Sequence, residues 1–353
     1  MRRPLALASA LSVAVMTALA TVAWSPAAAQ EETGPFDVVM VTWRGCEAAC
    51  EGFWDYLGSA GVATRATILD AGQDRERLPG FVDEIEAMDP DLVVTWGTSV
   101  TLGIVGPLGE TPEPRIGSTP TVFMIVADPV GAGIIEDRTT SGRAHVTGTH
   151  NRVPEAVQMR VLADYLSFQR VGLIYNDDEL NAVLKADEVR RVGAEQGFEV
   201  VERVLAAGID GAPLADDIPG AVADVAAAGV EAIYVGSSSF LLDNADLLTR
   251  SALEHGLPVA TAYEAMVRDS DALIALGSAY YNVGQLAGYQ AERVLREGAV
   301  PGELEVLGLD RFSVVVNMDA ARALGLYPPM LLLRFAEVVS TDERTYVPIT
   351  RAD

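Results

Sequence analysis

From residue 37 onwards, short apolar runs alternate with stretches whose apolar residues recur every three or four positions. The runs are DVVMVTW (37–43), ATRATILDA (63–71), DLVVTWG (91–97), TVFMIVA (121–127), RVGLIYN (170–176), FEVVERVLA (198–206), EAIYVGS (231–237), PVATAY (258–263), ALIALGS (272–278) and SVVVNM (313–318). They are rich in Val and Ile and nearly continuous, as strands are when a parallel sheet is covered on both faces. Between them, ERLPGFVDEIEAM, VPEAVQMRVLADYL, NAVLKADEVRRVGAEQG and NADLLTRSALEHG carry the helical pattern. The last two close on Gly197 and Gly256, suited to the left-handed residue that ends many helices. A regular β-α-β-α order predicts an α/β fold with right-handed crossovers.

The pattern runs twice. Four strands fill about 37–149, and a second set runs from Arg170 to about 277. HNRVPEAV (150–157) holds turn residues and then opens a helix, which places a crossing between two lobes there. AYYNVGQLAGYQAERVLREG (279–298) reads as one long amphipathic helix that packs back on the first lobe. The expected division is 36–149 plus about 279–305 for the N-terminal lobe, and 150–278 plus about 306–353 for the C-terminal lobe.

The first residues change the setting. Arg2 and Arg3 precede an uncharged, largely apolar stretch from Leu5 to Ala23, and Ala27-Ala28-Ala29 follows. This reads as a secretory signal peptide, residues 1–29, which implies a periplasmic protein. The net charge is −25; the leader takes away two arginines and no acid, so the mature value is −27. Such a surface repels nucleic acid and anionic lipid. Lys185 is the only lysine, so basic chemistry is almost wholly arginine chemistry. The three histidines, His145, His150 and His255, form no HExxH, and no GxSxG elbow occurs. The expectation is no enzyme, no metal and no cofactor.

In a parallel α/β sheet, ligands bind beyond the carboxyl ends of the strands, near helix N-termini. The strand ends are therefore where candidates are sought. Trp43 and Arg44 follow the first strand; an Arg fork matches a carboxylate. Trp96, Thr98 and Ser99 follow DLVV and suit a small anion, or Thr98 and Ser99 cap a helix. Asp128 opens the turn after TVFMIV. Tyr175, Asn176, Glu179 and Asn181 follow RVGLIY, facing a cleft or capping the next helix. Ser237 and Ser238 follow EAIYVG, and Tyr280 follows ALIALG as an aromatic wall. Cys46 and Cys50, the only cysteines, lack the C-x-x-C spacing of dithiol redox centres. In an oxidising compartment they are expected to form a local disulfide, the rival being two free thiols.

Strand–TWGTSVT, VADPVGAGI, HVTGTHNRVP, GLIYNDDELNA, AIYVGSSSFLLDN, SAYYNVGQLAGYQAERVLREG and VVVNMDAARALGLYPP occur in that order. Together they resemble the substrate-binding proteins of ABC transporters of the type I periplasmic fold, in the branch with tryptophan- and other amino-acid-binding members. The resemblance implies two Rossmann-like lobes joined by a three-segment hinge and closing on a ligand like a flytrap. It implies a small-molecule ligand, ABC permease subunits as partners and a monomer. It places ligand contacts on Thr98 and Ser99, after Val126, on Tyr175–Asn181 and at Ser237–Ser239. Members of this branch usually carry an acid to pair a ligand ammonium where Ser238 stands here. A serine cannot neutralise an ammonium, and Arg44 adds positive charge. The expectation is a carboxylate-bearing ligand, aromatic or amino-acid-like, with extra negative charge. A ligand-sensing subunit for a receptor kinase and an exported α/β enzyme are the alternatives.

Overall fold

The computed structural model describes residues 34–109, 115–208 and 211–340. The expected signal peptide and the last residues of the expected C-terminal lobe, 341–353, lie outside them. Thirteen strands are described: β1 Phe36–Thr42, β2 Thr64–Asp70, β3 Leu92–Trp96, β4 Thr121–Val126, β5 Val146–His150, β6 Arg170–Asn176, β7 Glu199–Leu205, β8 Ala232–Val235, β9 Val259–Thr261, β10 Ile274–Gly277, β11 Leu307–Gly308, β12 Ser313–Asn317 and β13 Glu337–Val339. The α-helices are α1 Ala48–Ser59, α2 Leu78–Met88, α3 Thr98–Val105, α4 Glu155–Leu166, α5 Leu180–Gln196, α6 Ile218–Ala227, α7 Ser239–Asp243, α8 Ala245–Glu254, α9 Glu264–Arg268, α10 Tyr280–Glu297 and α11 Met318–Leu324.

The strands form two sheets. The first has order β11-β5-β4-β3-β1-β2 and every pairing is parallel. The second has order β13-β12-β10-β9-β8-β6-β7 and is parallel except where β12 runs against β10. The chain crosses between them three times: after β5, after β10, and between Gly308 and Ser313.

The near-continuous apolar runs are explained by burial on both faces. All residues of β3 and β4 are buried. In the second sheet the two faces alternate strictly. Ile233 and Val235 join one core, with Ile174 and Ala275, while Tyr234 joins the other, with Leu173 and Ile274. The core of the first sheet takes Val283, Ala287, Ala291 and Val294 from α10, so a helix encoded after β10 of the second sheet helps to complete the first. There α10 meets α1 at backbone distance. A Cβ on Gly284 would fall on the Ala49 carbonyl, and one on Gly52 on the Tyr281 carbonyl. Only glycine permits that approach.

Candidate ligand-binding site

Five strands of each sheet follow the same doubly wound order: β2-β1-β3-β4-β5 in the first, β7-β6-β8-β9-β10 in the second. In such a sheet the connections leave in opposite directions at one point and open a crevice beyond the carboxyl ends. Here that point lies between β1 and β3, and again between β6 and β8. The residues just past those four strand ends line one shared cavity. Trp43 and Arg44 follow β1, Trp96 to Ser99 end β3 and open α3, Glu179 and Asn181 follow β6, and Ser237 follows β8. Tyr280 closes it from the head of α10.

On the side of the first sheet, Gly97 takes φ 87°, which lets β3 turn directly into α3. As cap residue it offers no side chain, so the first-turn amides of α3 have no side-chain cap. They lie beside Thr98, which is buried, and Ser99, whose hydroxyl accepts from Arg75 at 3.3 Å. Trp96 is buried, and its indole Nε1 has no hydrogen-bond partner among the described residues. Its ring meets Tyr280 edge-on at 6.2 Å, and the Arg44 guanidinium sits 5.6 Å from its centroid.

On the other side, Glu179 is buried and densely bonded. Oε1 accepts from the Asn176 amide and the Phe240 backbone N–H, each at 3.0 Å. Oε2 accepts from the Ser239 N–H at 2.9 Å and from Asn181 at 3.4 Å. The carboxylate thus holds the first turn of α7 and brings a negative charge to the cavity wall. Asn181 also donates to the Ser237 carbonyl at 2.8 Å.

Arg44 reaches between the sheets. Nε donates to Glu47 at 2.8 Å and Nη1 to Asp243, on α7, at 3.1 Å. Burial works against its charge, but Glu47, Tyr263 and Asp243 more than offset it and hold the guanidinium above its ordinary pKa. Glu47 is pushed up, by burial first and by Asp243 in addition. Cys46, just before α1, and Cys50, in its first turn, are joined by a disulfide with Cα atoms 5.2 Å apart. It braces the turn that carries Trp43 and Arg44.

Four expected residues do not line this cavity. Tyr175 lies on the opposite face of β6 from Asn176, and its hydroxyl bonds Glu202 at 3.0 Å. Asn176 is fully buried behind Glu179 and takes a hydrogen bond from the Ser238 hydroxyl at 2.6 Å. Ser238 turns inward to cap α7, accepting from the Leu241 N–H at 3.0 Å. Asp128 pairs with Arg152 at 3.0 Å in a smaller neighbouring cavity that shares Thr98 and Asn181. Conversely, Ile125 and Tyr263 line the cavity without having been singled out, and Ser239, expected as the last residue of the Ser237–Ser239 strand end, lines it too. Ile125 takes φ 56°, where the register of β4 on β5 shifts. A β-branched residue there is strained. Tyr263 is buried at the end of the 258–263 run, whose strand end follows the same rule as the others.

This is the two-lobed architecture of type I periplasmic binding proteins. A family profile for ABC transporter substrate binding proteins matches residues 38–339, and the chain belongs to that family. Members bind small molecules for delivery to permeases. A tyrosine-binding protein of Clostridioides difficile (strain R20291) is 25% identical over 208 residues, 59% of this chain and 57% of that protein. The chain thus spans little more than half of that relative's length. Among solved structures, a conserved domain protein of Vibrio cholerae has a TM-score of 0.76 at 23% identity, over 87% of this chain and 99% of that one. A Streptococcus ABC domain in complex with L-Trp has 0.72 at 21% identity, over 86% and 99%. These two show a shared fold. No helix among the described residues is long and apolar enough to cross a membrane.

Proposed function

We propose that this chain is the exported, periplasmic, monomeric substrate-binding protein of an ABC importer, and that its ligand is an α-amino acid with an aromatic side chain. The observation that carries this reading is the opposition of two groups across one cavity. The uncapped first turn of α3, with the unpartnered indole N–H of Trp96, suits a carboxylate. The buried Glu179 suits an ammonium. The acid sought at position 238 is supplied from position 179 instead, so the serine no longer argues against a zwitterion. Trp43, Trp96, Tyr263 and Tyr280 give the cavity aromatic walls. Two similar proteins name such ligands, tyrosine and L-Trp.

Each sheet with its helices acts as a lobe. Ligand enters between parted lobes, and contacts to both shift the equilibrium to the closed form that docks on the permease. A binder fits better than an enzyme because the charged groups are already engaged. Four N–H donors occupy Glu179, and two carboxylates hold Arg44.

Calorimetric titration with tyrosine, tryptophan and phenylalanine, against alanine, glutamate and ribose, tests the reading. At least one aromatic amino acid should bind and, at a hundredfold excess over Kd, stabilise the fold by about 2.7 kcal/mol. Binding of glutamate or ribose with none of the aromatic three would overturn it.

A further inference from the structure

We propose that a chamber outside the cavity at the strand ends is a second binding site, and that it takes a small arylalkyl ammonium ion: a cation with an apolar ring and no acid group. With Arg44 on Asp243, the cavity at the strand ends keeps about 30 Å³. The chamber beside it is about 340 Å³, within the range of small-molecule sites. Elements of both sheets wall it. Glu47 and Ala48 stand at the head of α1 on one side, Leu242 of α7 and Ala265 of α9 on the other.

The charge of the walls selects the sign of the occupant. Two arginines line the chamber, and each is already engaged by two carboxylates: Arg44 by Glu47 and Asp243, Arg268 by Glu264 and Glu337. Asp269, also on the wall, adds a fifth. Five carboxylates thus surround two guanidinium groups, and the surplus is negative. Glu47 gives Oε1 to Arg44, while its Oε2 is buried and has no hydrogen-bond partner among the described residues. Burial, with Asp243 in addition, holds the Glu47 carboxyl above its ordinary pKa despite Arg44. An ammonium at Oε2 satisfies the orphaned acceptor and offsets both effects. Tyr263, Tyr280 and Tyr281 supply aromatic surface, which draws organic cations, and Leu242 and Ala265 supply apolar surface for a ring. An acid group on the ligand would meet the same surplus with the wrong sign, and both arginines are taken. The chamber therefore differs in chemistry from the site proposed for a zwitterionic amino acid and does not rest on that reading. Glu47 lines the chamber alone, as Glu179 lines only the cavity at the strand ends.

The test is calorimetry at neutral pH with 2-phenylethylamine, 2-phenylethanol and 3-phenylpropionate, a cation, a neutral compound and an anion of similar shape, on the wild type, Glu47→Gln and Ala265→Phe. The wild type should bind the amine at least tenfold more tightly than the alcohol, and the anion more weakly than either. Glu47→Gln should lower the amine-to-alcohol ratio by tenfold or more. Ala265 is exposed on α9, so a phenylalanine there fills the chamber without entering a core, and it should weaken the amine by at least tenfold. Thermal melts establish that the variants are folded. A wild type that binds the amine no better than the alcohol overturns the proposal. Unchanged amine affinity in Ala265→Phe also overturns it, because the amine then sits elsewhere, beside Glu179 included. An unchanged ratio in folded Glu47→Gln overturns it as well; if that variant does not fold, the other two comparisons decide. None of these outcomes depends on whether an aromatic amino acid binds at the strand ends.

Discussion

Replacing Glu179 by glutamine removes one charge and almost no volume. Its consequences follow from the four hydrogen bonds the carboxylate accepts. A glutamine keeps one acceptor oxygen and turns an amide N–H₂ towards donors that were satisfied. At least one backbone N–H of the α7 first turn is left buried without a partner, which costs roughly 1–3 kcal/mol of folding stability. Binding loses something different. A ligand ammonium about 4 Å from the carboxylate gains about 4 kcal/mol at an effective dielectric of 20. If desolvation cancels half of that, about 2 kcal/mol remains, or roughly 30-fold in Kd. The assay is a double comparison by calorimetry: tyrosine and 3-(4-hydroxyphenyl)propionate, which lacks the amine, on the wild type and on Glu179→Gln. Disturbance of α7 weakens both ligands alike, so the ratio isolates the charge. The wild type should prefer tyrosine, and the variant should lose that preference by about 30-fold. An unchanged ratio would refute the pairing and leave Glu179 as a brace for α7.

Three further outcomes are expected. His150 is half-buried; burial, then Arg138 and Arg152, bring its pKa down to about 4 from the ordinary 6.5. Between those values the unfolded chain binds a proton that the folded one does not. Stability should therefore fall as pH drops from about 6.5 to 4, by at most about 3 kcal/mol, and His150→Asn should flatten that slope in urea titrations. Gly284→Ala drives a methyl into the Ala49 carbonyl and should destabilise by about 3 kcal/mol or more in thermal melts, whereas exposed Gly80, with open space around it, should tolerate alanine. Changing Cys46 and Cys50 together to serine releases a very short loop and should cost about 2 kcal/mol by chain-entropy reasoning; a loss below 0.5 kcal/mol in denaturant titration would show that the α1–α10 packing holds the turn unaided.

Most of the strands that were legible are buried on both faces, where burial writes itself as unbroken Val and Ile; the edge strands β2 and β7 were legible too, although β2 is mostly exposed and β7 half-buried. β5 was not: VTGTH has no apolar run, yet most of it is buried because β4 and β11 flank it. β11 and β13, with two and three residues, are too short to leave any periodicity. In the cavity, the strand-end rule found the right turns and most of the lining side chains, but not always which of two neighbours faces inward. Tyr175 and Asn176 are neighbours pointing to opposite faces, and a one-residue step separates the inward Ser238 from the cavity-lining Ser239. Parity at a strand end depends on where the pleat stops, which composition does not encode. The charge of Arg44 was plain in the sequence. Its partner Asp243 lies 199 residues away, and only the meeting of the two sheets discloses it. The bulge at Ile125 had no sequence signal at all.

The interruption of the first sheet's core by β6 to β10 of the second carries a consequence for the order of events at birth. A chain that emerges N-terminus first, from a ribosome or a membrane channel, presents β1 to β5 long before α10 exists. Until residue 297 has appeared, the apolar face of α1 that includes Phe53 and Leu57 has no cover. The second sheet, by contrast, can assemble from β6 to β10 as one uninterrupted stretch. The lobe begun first thus waits for a helix encoded after β10, and the intervening period is when the protein has most need of a chaperone.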